Sequence, residues 1–225
     1  MNTKQFVLTL ILGLLYFVGA TAQKTTQGIK TFLCLGDSYT IGESVAVELR
    51  WPMQLAQALD TEQSTIKPTL IAKTGWTTDE LLEGINQAVL DDSYDYVSLL
   101  IGVNNQYRGR SVASFEPEFT TLLNRAIALS KNKKDGVLVL SIPDWGVMPF
   151  AEGRDRKQIA YEIDAYNTRI EQICKTYGVR YFNITEISRQ ASENADLIAN
   201  DGLHPSGAMY AAWVQAILPF FKLTQ

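Results

Sequence analysis

Five short apolar runs, each separated from the next by an amphipathic helical stretch, constrain this chain more than any other feature. Residues 31–35 (TFLCL), 69–72, 96–101 (YVSLLI), 136–141 (GVLVLS) and 179–182 read as strands. The stretches between them carry helix signals: residues 51–59 with Pro52 in the first turn, residues 77–90 with Asp79 and Glu80 at the positive end, residues 114–130, and residues 156–177 with Gly178 as a stop. A last helix from Ser206 places Met209, Tyr210, Trp213, Ile217 and Phe220 on one face. Strands that are apolar almost throughout and are never joined by hairpin turns must be buried on both sides, which makes them parallel with the helices as crossovers. The expectation is an α/β domain, a three-layer α/β/α sandwich with a central five-stranded parallel sheet of flavodoxin-like type.

The first 22 residues stand apart from this pattern. Lys4, an apolar run over residues 6–18 and the small residues Ala20, Thr21 and Ala22 have the three-part layout of a secretory signal peptide. The run is shorter than the roughly 20 residues a bilayer crossing needs, which argues for cleavage after Ala22 over an uncleaved anchor. The residue directly after that position is Gln23 and not a cysteine, so a lipoprotein anchor has no support. The sequence thus divides into a signal peptide, 1–22, and one domain, 23–225, exported to the periplasm or the extracellular space with no stable membrane anchor. Without Lys4 the remaining chain has 19 basic against 24 acidic side chains, a formal charge of −5, and no basic stripe that would suggest nucleic acid. Cys34 and Cys174 fall in apolar surroundings far apart in sequence. An oxidising compartment permits a bridge between them, but they read as two buried unpaired thiols, and neither has metal-site or redox-pair spacing.

In an open parallel sheet, ligands bind beyond the carboxyl ends of the strands, so the segments after each strand select the candidate site. The first, GDSYTIGES, puts Ser38 three residues beyond Leu35; a G-D-S tripeptide is also a common helix cap or turn. The second, AKTGWTT, contains Gly75, and the third, IGVNNQYRGR, contains Asn104 directly after a buried strand; a glycine and an asparagine there are equally good turn formers. The last, DGLHPS, holds the single histidine of the chain, His204, three residues after Asp201, with Gly202 permitting the bend and Pro205 opening the next helix. Serine is a poor nucleophile until a base accepts its proton, and an imidazole held by a carboxylate suits that task near neutral pH.

Together, and in chain order, these four segments resemble the SGNH or GDSL hydrolase family over roughly residues 31–221. The resemblance implies Ser38 as nucleophile, His204 as general base and then acid, and Asp201 as the group that orients His204. It also implies an oxyanion hole from the Ser38 N–H, the Gly75 N–H and the Asn104 side-chain amide. One departure stands out: many members have G-x-N-D in the third block, and here Asn105 occupies the place of the aspartate, so the hydrogen bonds supporting that loop are expected to differ.

The expected function is a secreted serine hydrolase cleaving a carboxylic ester, such as an acetylated carbohydrate or another short-chain ester. Lysophospholipase and acyl-thioesterase activities use the same chemistry and stay open. A non-catalytic secreted binding module on the same fold is the alternative from a different class. Trp76, Tyr107, Asp144 and Trp145 lie on the site loops and are the candidates for substrate contact; for each aromatic or cationic residue on these loops, Arg108 and Phe150 included, closing the loops over the core is an equal alternative. Neither a cofactor nor a metal is expected: nucleotide-cradling glycine motifs are missing, and one histidine with two scattered cysteines offers no ligand cluster.

Overall fold

The computed structural model describes residues 28–61 and 64–222, so the expected signal segment lies outside the described residues. Five strands, β1 (Gly28–Gly36), β2 (Ser64–Ala72), β3 (Tyr96–Leu100), β4 (Val137–Leu140) and β5 (Arg180–Phe182), form one sheet in the order β2-β1-β3-β4-β5. Every pairing is parallel. The longer helices are α2 (Trp51–Leu59), α3 (Thr78–Gln87), α5 (Val112–Leu129), α6 (Arg156–Tyr177) and α8 (Gly207–Lys222). Three short ones, α1 (Ser38–Ile41), α4 (Val103–Tyr107) and α7 (Thr185–Arg189), sit beside the strand ends.

The central strands are buried on both faces, as their unbroken apolar character demands. Phe32 and Tyr96 are opposite one another in the β1–β3 register, and both meet Phe221 of α8 edge-on. Phe32 also meets Trp51 of α2 in the same way. The neighbouring positions Leu33 and Val97 point to the opposite face and are equally buried. The five positions expected on the inner face of α8, Met209 through Phe220, are all buried. Cys34 and Cys174 are buried and free.

Helices α2 and α6 have the bounds expected from sequence, and Gly178 ends α6 in the left-handed conformation at φ +67°. Strand β2 is the main departure: it runs from Ser64, five residues earlier than expected. Pro68 lies inside it, paired with Phe32. A proline is tolerated there because β2 is the edge strand, with one side free of ladder bonds. Helix α3 stops at Gln87, short of Leu90.

Strand order turns outward in both directions from β1, toward β2 on one side and β3 on the other, so the crevice for a ligand opens above the carboxyl ends of β1 and β3. Ser38 leaves β1 and Asn104 leaves β3 at that point.

Candidate active site

Ser38 is the first residue of α1. Asp37 caps the helix: its Oδ1 accepts the Tyr39 N–H at 3.0 Å, and its backbone carbonyl accepts from Thr40 and Ile41. The Ser38 N–H has no acceptor among the described residues and belongs to the open first turn of the helix. Burial pushes the Asp37 carboxyl up to about 7, partly offset by the backbone N–H groups it accepts.

Gly75 has φ +85°, a conformation costly for any other residue, and its N–H is likewise without an acceptor among the described residues. Its carbonyl accepts from Arg108 Nη2 at 2.7 Å. Arg108 Nη1 donates to Glu80, and the other Glu80 oxygen accepts the Thr77 N–H, closing the capping box of α3. Asn104 on α4 donates one amide hydrogen to the Trp76 carbonyl at 3.0 Å. Asp37 Oδ2 lies 3.5 Å from the same nitrogen.

Asp201 and His204 are joined twice, and a third bond ties Asp201 to Leu203 between them. The Asp201 Oδ1 accepts the backbone N–H groups of Leu203 and His204 at 2.9 Å each, and Oδ2 lies 2.6 Å from His204 Nδ1. Gly202, at φ +71°, makes the bend that brings them together. With Nδ1 engaged, Nε2 is left for the cleft. The imidazole is nine-tenths buried and meets the Tyr39 ring edge-on, with centroids 5.7 Å apart. Partial burial works to raise the Asp201 pKa. It is outweighed by the Ser44 hydroxyl, the His204 N–H, the His204 ring and the Leu203 N–H, which hold the carboxyl well below the usual range.

Ser38, Gly75, Asn104 and His204 line one cleft of about 200 Å³. No hydrogen bond joins Ser38 and His204 among the described residues; bonds of this kind often tighten only when substrate binds. Tyr107, Trp145 and Phe150 form an aromatic wall of the same cleft, and Val103 and Leu203 add to its apolar lining. Their rings meet at 5.4 Å (Tyr107–Trp145) and 6.1 Å (Trp145–Phe150). Arg154 lies over all three, and Trp145 Nε1 donates to Gln106 at 2.8 Å.

Two residues expected to touch substrate do not line the cleft. The Trp76 ring packs against Gly84 of α3, where a Cβ would fall 2.2 Å from it, and only its carbonyl serves the site. Asp144 is almost wholly buried; its carboxylate accepts from Arg189 Nε at 3.0 Å and from the Gly146 N–H. Its acceptors are thus engaged inside the fold. Arg108, on the same loops, clasps the Gly75 carbonyl. Asn105 is fully buried and clamps Thr78: Oδ1 accepts the Thr78 N–H at 3.1 Å and Nδ2 donates to Thr78 Oγ1 at 2.7 Å.

A model of the GDSL-like Lipase/Acylhydrolase family matches residues 34–212. The chain belongs to that family. It is a carboxylic ester hydrolase, and among the described residues no helix is long and apolar enough to cross a membrane. Comparison with curated proteins finds no match. Among solved structures it resembles a lipolytic protein of the G-D-S-L family from Veillonella parvula, at 16% identity over 87% of this chain and 99% of that one, TM-score 0.67. An acetylxylan esterase from Geobacillus stearothermophilus, Axe2, matches at 21% identity over 88% and 95%, TM-score 0.67. A psychrotrophic esterase from a Pseudoalteromonas species, EstA, matches at 20% identity over 86% and 97%, TM-score 0.65. At these identities the likeness is one of fold.

Proposed function

We propose that this enzyme cleaves short-chain carboxylic esters through Ser38, with acetylated carbohydrates as the favoured substrate class. The observation that carries the reading is the meeting of Ser38, Gly75, Asn104 and the Asp201-bound His204 around one small cleft. Ser38 Oγ attacks the ester carbonyl carbon while His204 Nε2 takes the hydroxyl proton. The carbonyl oxygen becomes an oxyanion received by the Ser38 N–H, the Gly75 N–H and the second amide hydrogen of Asn104. One such donor is worth about a hundred- to a thousandfold in rate. Collapse expels the alcohol, which leaves with the proton held by His204. Water then attacks the acyl-serine with His204 again as base, and the acid departs.

Cleft size favours short acyl groups: about 200 Å³ lies below the roughly 300 Å³ at which pockets for drug-sized ligands begin. The aromatic wall of Tyr107, Trp145 and Phe150 suits the apolar face of a sugar, and one protein of the same fold is an acetylxylan esterase. We also infer export, from the layout of residues 1–22. The test is release of nitrophenol from nitrophenyl acetate and of acetate from acetylated xylo-oligosaccharides. Ser38→Ala should abolish both, and undiminished turnover in that variant would refute the assignment. Preference for long acyl chains would favour a lysophospholipase or thioesterase, and no turnover by folded wild-type protein would favour a binding module.

A further inference from the structure

We propose that Ser44 is a positioning residue of this reaction, its hydroxyl tying the segment that carries Ser38 to the carboxylate that orients His204. The inference rests on the assignment of Ser38, Asp201 and His204 above. Ser44 follows the turn that ends α1 and has φ +63°, a conformation rare for any residue but glycine and kept only where the surroundings demand it. The turn itself is tied to the nucleophile, since the Glu43 N–H donates to the Ser38 carbonyl at 3.1 Å. The Glu43 carboxylate also accepts the hydroxyl of Thr74, beside Gly75. From this turn Ser44 Oγ donates to Asp201 Oδ2 at 2.5 Å, across 157 residues of sequence. That oxygen is the one that holds His204 Nδ1.

The two backbone N–H groups on Oδ1 belong to the loop of Asp201 itself, so they fix the carboxylate within that loop and not relative to Ser38. Ser44 reaches the same carboxylate from the side of the nucleophile. Asp201 is exposed, so without the hydroxyl its oxygen would be left to water, which carries no positional information.

Ser44→Ala and Ser44→Gly separate the hydroxyl from the backbone. Both remove the donor, but glycine suits the positive φ and should leave the protein at least as resistant to heat as alanine does. Measured on nitrophenyl acetate, kcat/KM should fall about tenfold in both variants, the loss typical of one charge-assisted hydrogen bond. The loss should fall on kcat, with KM nearly unchanged in both. Wild-type kcat in Ser44→Gly would overturn the inference and leave Ser44 as a turn residue. Ser38→Ala assayed alongside separates the two failures. If it stays active, the site assignment falls; if it is inactive while the Ser44 variants match wild type, only the role of Ser44 falls.

Discussion

Replacing Asn105 by aspartate, the residue many family members carry at this position, should destabilise this protein, and the reason is a single hydroxyl proton. Thr78 Oγ1 accepts from Asn105 Nδ2 at 2.7 Å and donates to Glu118 Oε2. A carboxylate in place of the amide keeps the acceptor for the Thr78 N–H but turns a donor into a second oxygen facing Thr78 Oγ1. The hydroxyl has one proton, and Glu118 already takes it. The loss is one hydrogen bond plus a pair of opposed oxygens at a fully buried position, together about 2–3 kcal/mol. The new charge lies before the first turn of α3, which returns about 0.5–1 kcal/mol. The net is about 2 kcal/mol at pH 7, a fall in Tm of roughly 4–8 °C for a domain of this size.

Thermal and urea unfolding followed by circular dichroism measure the loss, and Glu118→Gln tests its cause. With a glutamine there, the Thr78 proton is free to turn to the carboxylate and the glutamine amide can donate in its place, so the double variant should recover most of the deficit. Among the described residues Glu118 is paired otherwise only with Arg110 at 3.7 Å, both about a third exposed, so Glu118→Gln alone should cost less than about 1 kcal/mol. Burial raises the pKa of the introduced carboxyl above its unfolded value, so the deficit grows as pH rises through the folded value and shrinks on acidification, when the protonated group can donate again. An N105D protein as stable as wild type at pH 7, or a deficit that Glu118→Gln leaves unchanged, would refute the reasoning.

Two further predictions concern the loops beside Ser38. Arg108→Ala releases the Gly75 carbonyl, so kcat on nitrophenyl acetate should fall about tenfold with KM nearly constant, while stability hardly moves because the Arg108–Glu80 pair is exposed; a raised KM at unchanged kcat would count against it. Asp37, pushed up to about 7 by burial, binds a proton in the folded state that the unfolded chain has released above about pH 4, so stability from this group should increase as pH is lowered from 7 toward 4. Asp201, held below the usual range, loses its contribution only at more acid pH. Asp37→Asn should flatten the slope between pH 4 and 7 in urea titrations, and an unaltered slope would show that Asp37 is not its source.

What the sequence made legible follows from range. Strands of the β1 and β3 kind are apolar at nearly every position because both faces are covered, and α8 repeats its large residues at helical spacing, so these elements announce themselves locally. Helices α1 and α4, of four and five residues, are too short for any period to appear, and they read as loops. The early half of β2 is polar and contains Pro68, both consequences of an edge position that only the assembled sheet defines. His204 was conspicuous as the single histidine beside Asp201. Trp76 and Asp144 have the chemistry of substrate contacts, but Gly84 and Arg189 engage them first, and no spacing in the sequence encodes that. Ser44 gives no pattern at all, since its role comes from a positive φ and a partner 157 residues away.

The two halves of the site are supported differently, and this decides how each responds to change. Ser38 grows out of β1, and Asp37 and Thr40 around it are fully buried, so the proposed nucleophile is held by the same packing that holds the sheet. Asp201, Gly202 and Leu203 lie on a surface loop whose anchors are hydrogen bonds: Ala199 N–H to the His204 carbonyl at 2.8 Å, Phe150 N–H to the Gly202 carbonyl at 3.0 Å, and Ser44 to Asp201. Substitution beside Ser38 therefore disturbs folding and catalysis together, through buried volume and buried charge. Substitution in the 201–204 loop removes orientation while leaving the core intact. The alignment of the proposed base with the proposed nucleophile thus depends on a few polar contacts at the surface, which is where a loss of rate without a loss of fold is to be found.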